Sequence, residues 1–337
     1  MLGESKPLRT KDGMIAAANM AFAPPPSLSS INIDSAAVRI APYVRLTPVM
    51  NVGYMRSPLT DAQLWLKLEN HQVTGSFKVR GAMNFVLTQA PEKIRKGLVT
   101  ASGGNHGLAV AYASKIAKTS ATVFVSTAVP EQRVEKLRSW GAIVHVSGNN
   151  YDETLLIAQE YASQSGGCYI HGFADPAVIA GQGTLGLELL DQLPQLDCVI
   201  VAIGGGGLIG GIAQIIKTRR PKCRVIGVEA DGAAKMSLAL RAGHVVSLAE
   251  VTTKAVSIAQ RMTTELNLDL VRRYVDDIIT VSDEDMMQAI RWLWNECNVS
   301  AEMAGAAGVA ALQTGALKAK EGETVCSLIC GADVRSA

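Results

Sequence analysis

Residues 198–216 read CVIVAIGGGGLIGGIAQII, an apolar β-branched run, four glycines and an apolar helical pattern in direct succession. The first part predicts a strand that is buried on both faces, and residues 208–216 predict the helix that follows it. Glycines at such a junction let backbone N–H groups converge at a helix N-terminus, where an anion such as phosphate binds. This stretch therefore predicts a strand–helix unit with a phosphate cradle between its two elements.

The same alternation recurs along most of the chain. Strand-like runs at 97–102 and 121–126 are followed by helical patterns at 107–117 and 131–140. Such alternation is typical of an α/β fold with a parallel sheet covered by helices on both faces. A glycine-rich break at 165–167 and a turn-prone segment at 172–176 predict a lobe boundary near residue 170.

Composition narrows the class of protein. The 337 residues suffice for two compact lobes, and 48% hydrophobic with 18% charged residues fits a well-buried soluble enzyme. A net charge of +2 and 5% aromatic residues give no reason to expect nucleic acid, and no apolar run is long enough to span a membrane. Six scattered cysteines, several in apolar runs, indicate free thiols in a reducing cytoplasm.

The two ends of the chain carry separate expectations. Residues 1–30 place several charges before their apolar run, which ends in three prolines, so they predict a disordered or strapping arm and not a signal peptide. The chain stops soon after Val334, so we expect no appended regulatory domain.

A second decisive stretch, residues 67–78, reads KLENHQVTGSFK. A strand at 64–68 leads into a polar turn, and Ser76 opens a helix that has Lys78 in its first turn. The partial positive charge of a helix N-terminus would lower the pKa of Lys78 and favour a neutral, nucleophilic amine. Taken alone, the segment is also compatible with an ordinary solvated lysine.

A third stretch, residues 100–107, reads TASGGNHG and lies between a predicted strand and an amphipathic helix. Its consecutive glycines and the side chains of Ser102 and Asn105 offer donors to a carboxylate. The alternative is a tight turn with Asn105 as the helix N-cap. His106 alone is more typical of a packing or capping histidine than of a base.

The four-glycine stretch also has a competing interpretation. Gly205, Gly207 and Gly210 satisfy G-x-G-x-x-G, and Glu229 at the end of the next strand would suit a ribose, which indicates an NAD-dependent oxidoreductase. That interpretation explains only one of the three stretches. All three stretches would be used if one ligand carried a phosphate and an amine-reactive aldehyde and a second ligand carried a carboxylate.

Together the three stretches closely resemble the serine/threonine dehydratase (threonine ammonia-lyase) and serine racemase family of fold type II pyridoxal phosphate enzymes. The family's Lys-x-Glu and Thr-Gly-Ser-Phe-Lys-x-Arg-Gly-Ala motifs are matched by Lys67, Glu69 and residues 74–82, and its two glycine loops by residues 102–107 and 204–208. Residues 275–277 and 302–307 resemble later family segments, so the likeness runs from about Ile33 to Val334.

The resemblance implies a two-lobed α/β fold of the tryptophan synthase β type, with parallel-rich twisted sheets flanked by helices and the cofactor in the cleft between the lobes. Residues 31–91 plus 171–337 would form the large cofactor-binding domain. Residues 92–170 would form the small domain that holds the substrate carboxylate. A homodimer is also implied.

The resemblance also implies roles for individual residues. Lys78 would bind pyridoxal 5′-phosphate as an imine and later move the Cα proton. The other implied cofactor contacts are Phe77 on the ring, Asn105 at the phenolic oxygen, Gly204, Gly205, Gly206, Gly207 and Leu208 at the phosphate, and Cys330 at the pyridine nitrogen. The implied substrate-carboxylate site comprises Ser102, Gly103, Asn105 and His106.

The activity implied is α,β-elimination from L-threonine, L-serine or a related β-hydroxy amino acid, giving a 2-oxo acid and ammonia. An amino-acid racemase, a β-replacement synthase and a non-enzymatic cofactor-binding protein remain alternatives. A thiol at Cys330 is a weak donor, which favours loss of the β-hydroxyl over transamination.

Two departures from the family pattern bear on the chemistry. Racemases of the family carry a second serine where this chain has Gly103, and glycine has no side chain to move a proton. The family's divalent-cation site pairs a strand-end Glu with an Asp six residues later, whereas here Glu229 is followed by Lys235. An ammonium at that position argues against a bound metal ion.

Overall fold

The computed structural model describes residues 31–332, and the arm predicted at 1–30 lies outside the described residues. Ten strands form two sheets. The strands are β1 (Val49–Asn51), β2 (Gln63–Leu68), β3 (Leu98–Ala101), β4 (Ala121–Val125), β5 (Ile143–Val146), β6 (Cys168–Tyr169), β7 (Cys198–Ala202), β8 (Arg224–Ala230), β9 (Asp277–Val281) and β10 (Thr324–Ile329).

The larger sheet has the order β1-β2-β10-β7-β8-β9. The edge strand β1 is antiparallel to β2, and every other neighbouring pair is parallel. The last strand in the chain, β10, lies between β2 and β7. Because neighbouring parallel strands end at the same edge, the segments after β2, β10, β7 and β8 meet there, where ligands bind in open α/β sheets.

The smaller sheet has the order β5-β4-β3-β6 and is wholly parallel. Its strands come from one continuous stretch of chain, which falls inside the domain predicted at 92–170. The sheet therefore gives the fold two α/β units, and the domain limits themselves stay a prediction.

Twelve α-helices accompany the strands within residues 31–332. They are α1 (Ile33–Ile40), α2 (Lys78–Thr88), α3 (Pro91–Ile94), α4 (Asn105–Ile116), α5 (Glu131–Ser139), α6 (Tyr151–Ser165), α7 (Pro176–Gln192), α8 (Gly207–Arg219), α9 (Lys235–Ala242), α10 (Glu265–Tyr274), α11 (Asp283–Cys297) and α12 (Met303–Gln313). None of these helices is long and apolar enough to cross a membrane.

A buried apolar core fills the space around the larger sheet. Every residue of β7 and β10 is buried, as expected of central parallel strands covered on both faces. The largest core cluster includes residues of β7, β8, β10, α8 and α12. The predicted run at 198–203 therefore forms the centre of the molecule.

Behind α2 lies a buried network of two cationic and two anionic side chains. Arg80 pairs with Glu69 at 2.8 Å and with Glu188 at 2.6 Å, and Lys67 pairs with Glu188 at 2.6 Å. The two carboxylates raise the pKa of Arg80, although burial opposes them. Removing one member would leave an unpaired buried charge, so the network fixes the helix that begins at Lys78.

Candidate active site

One cavity at the carboxyl edge of the larger sheet brings together most of the predicted site residues. Its lining includes Phe77, Lys78, Asn105, Gly204, Gly205, Gly206, Gly207, Leu208 and Cys330. Ser102, Gly103 and His106 are not part of this lining, although Asn105 from the same loop is. The cleft therefore joins loops that follow strands of both sheets, which is the arrangement that the sequence resemblance implied.

Lys78 is the first residue of α2, where the sequence predicted it. Its Nζ donates a hydrogen bond to Gly172 O at 2.7 Å and lies 5.1 Å from the centroid of the Phe77 ring. Burial is the main cause that lowers the pKa of Lys78 to about 8. The direction of the shift agrees with the sequence prediction, but its dominant cause is desolvation and not the helix N-terminus.

The tetraglycine loop (residues 204–207) joins β7 to α8 and allows no side chain along its inner turn. Gly206 has φ +97°, a left-handed conformation that favours glycine. A Cβ at Gly205 would overlap the Phe173 ring, and one at Gly207 would lie 2.5 Å from Phe173 O. The loop is thus a packed turn of bare backbone leading into a helix N-terminus, which suits a phosphate.

The asparagine loop (residues 102–106) joins β3 to α4. Its N-cap residue is Gly104 and Asn105 is the first helical residue, so the alternative that made Asn105 the N-cap is wrong. Asn105 Nδ2 instead donates to Glu302 Oε1 at 3.0 Å, and Ser102 Oγ accepts from Gly104 N at 3.3 Å. The Asn105 amide is therefore held facing the cavity by a residue from the other end of the chain.

His106 is a buried, neutral packing residue. Its Nε2 lies 3.0 Å from Ile170 O, and burial lowers its pKa to about 3. An imidazole that stays uncharged at neutral pH does not attract a carboxylate by charge. What His106 offers to an anion in this loop is its backbone N–H.

Cys330 follows β10 and faces the same cavity. It is 3% exposed, and burial raises the pKa of its thiol well above the usual value. Its carbonyl oxygen accepts a hydrogen bond from Phe77 N at 3.1 Å, which ties the end of β10 to the residue before Lys78. Cys330 is therefore a protonated thiol in the cleft at neutral pH.

Glu229 and Lys235 form a buried pair at the start of α9. Lys235 Nζ lies 3.4 Å from Glu229 Oε1 and donates to three backbone carbonyls, those of Ile203, Ala233 and Ile258, at 3.1–3.2 Å. Across residues 31–332, no group of three or more His, Cys, Asp or Glu side chains is placed to hold a metal ion. The ammonium therefore has the oxygen surroundings of a bound cation.

Glu229 is also unavailable to a ribose. It is fully buried and accepts hydrogen bonds from Met236 N, Ser237 N and Ser237 Oγ at 2.8–2.9 Å. The dinucleotide interpretation thus lacks the carboxylate it needs.

From the sequence alone, several residues that lie in or next to the cavity were not assigned. Glu302 was recognised only as part of a late motif, and that motif was the signal that could have placed it in the cavity. Phe173 lines the cavity and packs against the tetraglycine loop, and Thr263 and Asn267 contact that loop without lining the cavity. No local pattern marks them, because their contacts depend on how distant segments pack.

The family model that describes a pyridoxal-phosphate dependent enzyme matches residues 40–331. The chain belongs to this family. The residues present fit the cofactor that defines this family: a bare backbone cradle, a buried amine with lowered pKa, an aromatic ring next to that amine and a neutral thiol surround one cavity.

Individual relatives in this pyridoxal-phosphate dependent family differ in activity. The chain is 40% identical over 256 residues to the L-threonine ammonia-lyase of Thermotoga maritima, a match that covers 76% of this chain and 64% of that protein. The fold is similar to threonine deaminase isoform 2 from Solanum lycopersicum (TM-score 0.85, 30% identity, 91% and 85% coverage). It is equally similar to maize serine racemase (TM-score 0.85, 32% identity, 91% and 93% coverage). The fold alone therefore does not separate elimination from racemisation.

Proposed function

We propose that this enzyme eliminates water from L-threonine, L-serine or a related β-hydroxy amino acid. Hydrolysis of the unsaturated amino acid so formed then consumes one water and releases ammonia and a 2-oxo acid. The main support is Lys78, a buried amine with pKa about 8 placed between the tetraglycine and asparagine loops. The family match and the similarity to an L-threonine ammonia-lyase point to the same chemistry. The activity comes from the arrangement of groups around Lys78 and not from the fold as such.

When bound, pyridoxal phosphate takes up the substrate's amino group and withdraws electrons from the bonds at Cα. The backbone N–H groups of residues 204–208 would hold the phosphate at the start of α8. Phe77 would pack against the ring, and Asn105 would donate to the phenolic oxygen. Cys330 would serve the pyridine nitrogen, to which a thiol with raised pKa would supply only a weak hydrogen bond.

Lys78 moves the Cα proton. A group transfers protons best when its pKa lies near the working pH, and a pKa of about 8 meets that condition. The hydrogen bond from Nζ to Gly172 O fixes the amine in the cleft without supplying an opposite charge. Lys78 is therefore both the attachment point of the cofactor and the proton carrier.

The asparagine loop binds the substrate carboxylate. Ser102 Oγ and the backbone N–H groups of Gly103, Gly104, Asn105 and His106 are its donors. They stand at the N-terminus of α4, where an anion is favoured.

Elimination is favoured over racemisation because the chain lacks a second proton carrier in the asparagine loop. A Cβ at Gly103 would lie 2.7–2.8 Å from the two methyl groups of Val129, so the position has neither a side chain nor free space for one. Inversion at Cα needs a donor on the face opposite the amine. Lys78 serves one face only.

Lys235 takes the place of a bound cation. Its ammonium is surrounded by three carbonyls and Glu229, and one of those carbonyls belongs to Ile203, the residue that precedes the tetraglycine loop. Burial lowers the pKa of Lys235 and Glu229 opposes that shift. The enzyme is therefore independent of divalent metal.

We extend the proposal to assembly and location. A homodimer is supported by the exposed Met287 and Trp294, which lie seven residues apart on one face of α11. A reducing compartment, the cytoplasm, is supported by six cysteines that are all free thiols. Residues 92–170 form the small domain of each subunit.

The decisive experiment measures 2-oxo acid and ammonia release by the holoenzyme over a panel of β-hydroxy amino acids. We expect both products in equal amounts from at least one of L-threonine, L-serine and their 3-substituted analogues. Matched samples without pyridoxal phosphate should be inactive. Release of neither product from any member of the panel by cofactor-loaded protein would refute the proposed activity.

A further inference from the structure

The tetraglycine loop is held from outside by two buried side chains. Asn267 Nδ2 donates to Gly205 O at 2.8 Å and Thr263 Oγ1 donates to the same oxygen at 3.0 Å. In a planar trans peptide the C=O and the following N–H point in opposite directions. Fixing Gly205 O on the outside therefore directs the N–H of Gly206 toward the phosphate cradle.

The same Asn267 amide reaches a second segment. Its Nδ2 also donates to Phe173 O at 3.0 Å, and the preceding residue, Gly172, has the carbonyl that accepts from Lys78 Nζ at 2.7 Å. Within residues 31–332, the Thr263 hydroxyl donates to the tetraglycine loop only. One side chain thus connects the phosphate cradle to the backbone that fixes the amine.

Packing alone does not account for an asparagine at this position. Asn267 is fully buried, and its Oδ1 has no hydrogen-bond partner among the described residues. An unsatisfied buried acceptor is unfavourable, and a leucine of similar size would avoid it. The two donated hydrogen bonds, which require the amide nitrogen, are what distinguish asparagine from leucine here.

We propose that Asn267 is a positioning residue that couples the phosphate cradle to Lys78, whereas Thr263 positions the cradle only. This inference rests on the cofactor site described above but not on the identity of the substrate. Because Asn267 binds both Gly205 and Phe173, the distance between the phosphate cradle and Lys78 is fixed. A ligand whose phosphate lies in the cradle would then have its aldehyde next to Lys78, and the cleft would need no rearrangement for the amine to react with it.

The test compares two ligands on the apoenzyme. Pyridoxine 5′-phosphate has the phosphate and ring but no aldehyde, so it reports on the cradle alone, whereas pyridoxal 5′-phosphate also reports on Lys78. The variants are Asn267→Leu and, as the matched control, Thr263→Val, which removes a single hydroxyl. The dissociation constants of both ligands are measured by titration of each apoprotein.

Thr263→Val should raise the dissociation constants of both ligands by the same factor, about tenfold or less for one lost hydrogen bond. Asn267→Leu should raise the dissociation constant of pyridoxine 5′-phosphate by a similar factor. It should raise that of pyridoxal 5′-phosphate by about tenfold more, because the alignment with Lys78 is also lost. The ratio of the two constants therefore changes in one variant only. An unchanged ratio in Asn267→Leu, or an equal change in both variants, overturns the proposal.

Asn267→Ala is a second variant that controls for misfolding of Asn267→Leu. It should show the same change in the ratio of the two dissociation constants, while the melting temperature and circular dichroism spectrum of its apoprotein stay close to those of the wild type. If Asn267→Ala folds normally and binds the two ligands in the wild-type ratio, the coupling role is wrong. Failure of the proposed lyase activity would show instead as no product from the substrate panel, with these binding constants unaffected.

Discussion

The asparagine loop follows β3 of the smaller sheet and precedes α4, and the tetraglycine loop follows β7 of the larger sheet and precedes α8. Both are strand–loop–helix turns that offer backbone N–H groups to an anion. In the tetraglycine loop a Cβ at Gly205 would collide with Phe173, whereas at Gly104 of the asparagine loop the nearest atom is Arg133 Nη1 at 3.8 Å. The tetraglycine loop is closely packed at Gly205, whereas the asparagine loop, although packed at Gly103, has free space at Gly104.

The difference matches the lifetime of the guest proposed for each loop. A cofactor phosphate that stays bound is best held by a backbone fixed from outside, here by Thr263, Asn267 and Lys235. A substrate carboxylate that comes and goes would be bound by the Ser102 hydroxyl and by backbone N–H groups of a loop that leaves free space at Gly104. A preorganised, closely packed backbone favours tight retention of its ligand.

The largest expected effect on activity comes from removing the Lys78 amine, which lies in the same cleft as both loops. Lys78→Ala should lower 2-oxo acid release by at least about 10⁴-fold, because the nucleophile and the proton carrier are lost together. The absorbance of the imine should vanish as well, because no amine remains to form it. Pyridoxine 5′-phosphate should still bind, since the tetraglycine loop is unchanged. Appreciable turnover by this variant would contradict the role of Lys78.

Lys235→Met tests how much the Lys235 ammonium, which donates to the residue before the tetraglycine loop, contributes to stability. Removing one partner of a buried charge pair costs about 3–5 kcal/mol in the free energy of unfolding, since Glu229 would remain buried without its cation. Denaturant unfolding measures the loss, and Lys254→Met, at an exposed lysine, is the control.

Wild-type activity should survive exhaustive chelation by EDTA, because Lys235 occupies the cation position. If EDTA abolishes activity and Mg²⁺ restores it, the interpretation of Lys235 is wrong.

A matched pair of alanine variants probes the packing difference directly. Gly205→Ala should raise the Kd of pyridoxal phosphate by about 100-fold, the upper end of what overpacking costs, since the new methyl group overlaps the Phe173 ring. Gly104→Ala should change the KM of the amino acid by less than about tenfold. Equal effects of the two substitutions would remove the basis of the comparison.

The pKa of Lys78 predicts how cofactor capture depends on pH. Only the neutral amine attacks the aldehyde, so a pKa of about 8 makes the capture rate of the apoenzyme rise between pH 7 and 9 and level off above. The rise should be about tenfold, following the neutral fraction. Stopped-flow absorbance measures it. A rate that continues to climb toward pH 10.5 would mean that Lys78 titrates as an ordinary lysine.

The smallest expected effect is a gain of inversion at Gly103. Gly103→Ser alone should racemise L-serine little, because its Cβ meets the Val129 methyl groups. Gly103→Ser combined with Val129→Ala removes that obstacle and should racemise measurably faster than Val129→Ala alone. Initial rates of Cα inversion and of 2-oxo acid formation are compared for each variant. Inversion as fast as elimination in the wild type would refute the role given to Gly103.

Local patterns predicted the elements on which the site is built, but not every residue at their ends. The strand predicted at 198–203 and the helix predicted to open at Ser76 lie within two residues of the observed β7 and α2, because apolar periodicity and glycine turns act over a few neighbouring residues. Asn105 shows the limit. The sequence allowed it to be an N-cap, but in the structure the N-cap is Gly104 and the Asn105 amide donates to Glu302 instead.

The sequence by itself determined the strand–loop–helix junctions, the motif around Lys78 and the resemblance that named the cofactor. Only the tertiary structure placed β10 between β2 and β7, which puts Cys330 next to Phe77. It also showed that burial lowers the pKa of Lys78 and that Asn267 connects Gly205 to Phe173. Strand order and desolvation depend on contacts between residues far apart in the chain, and no local pattern encodes them.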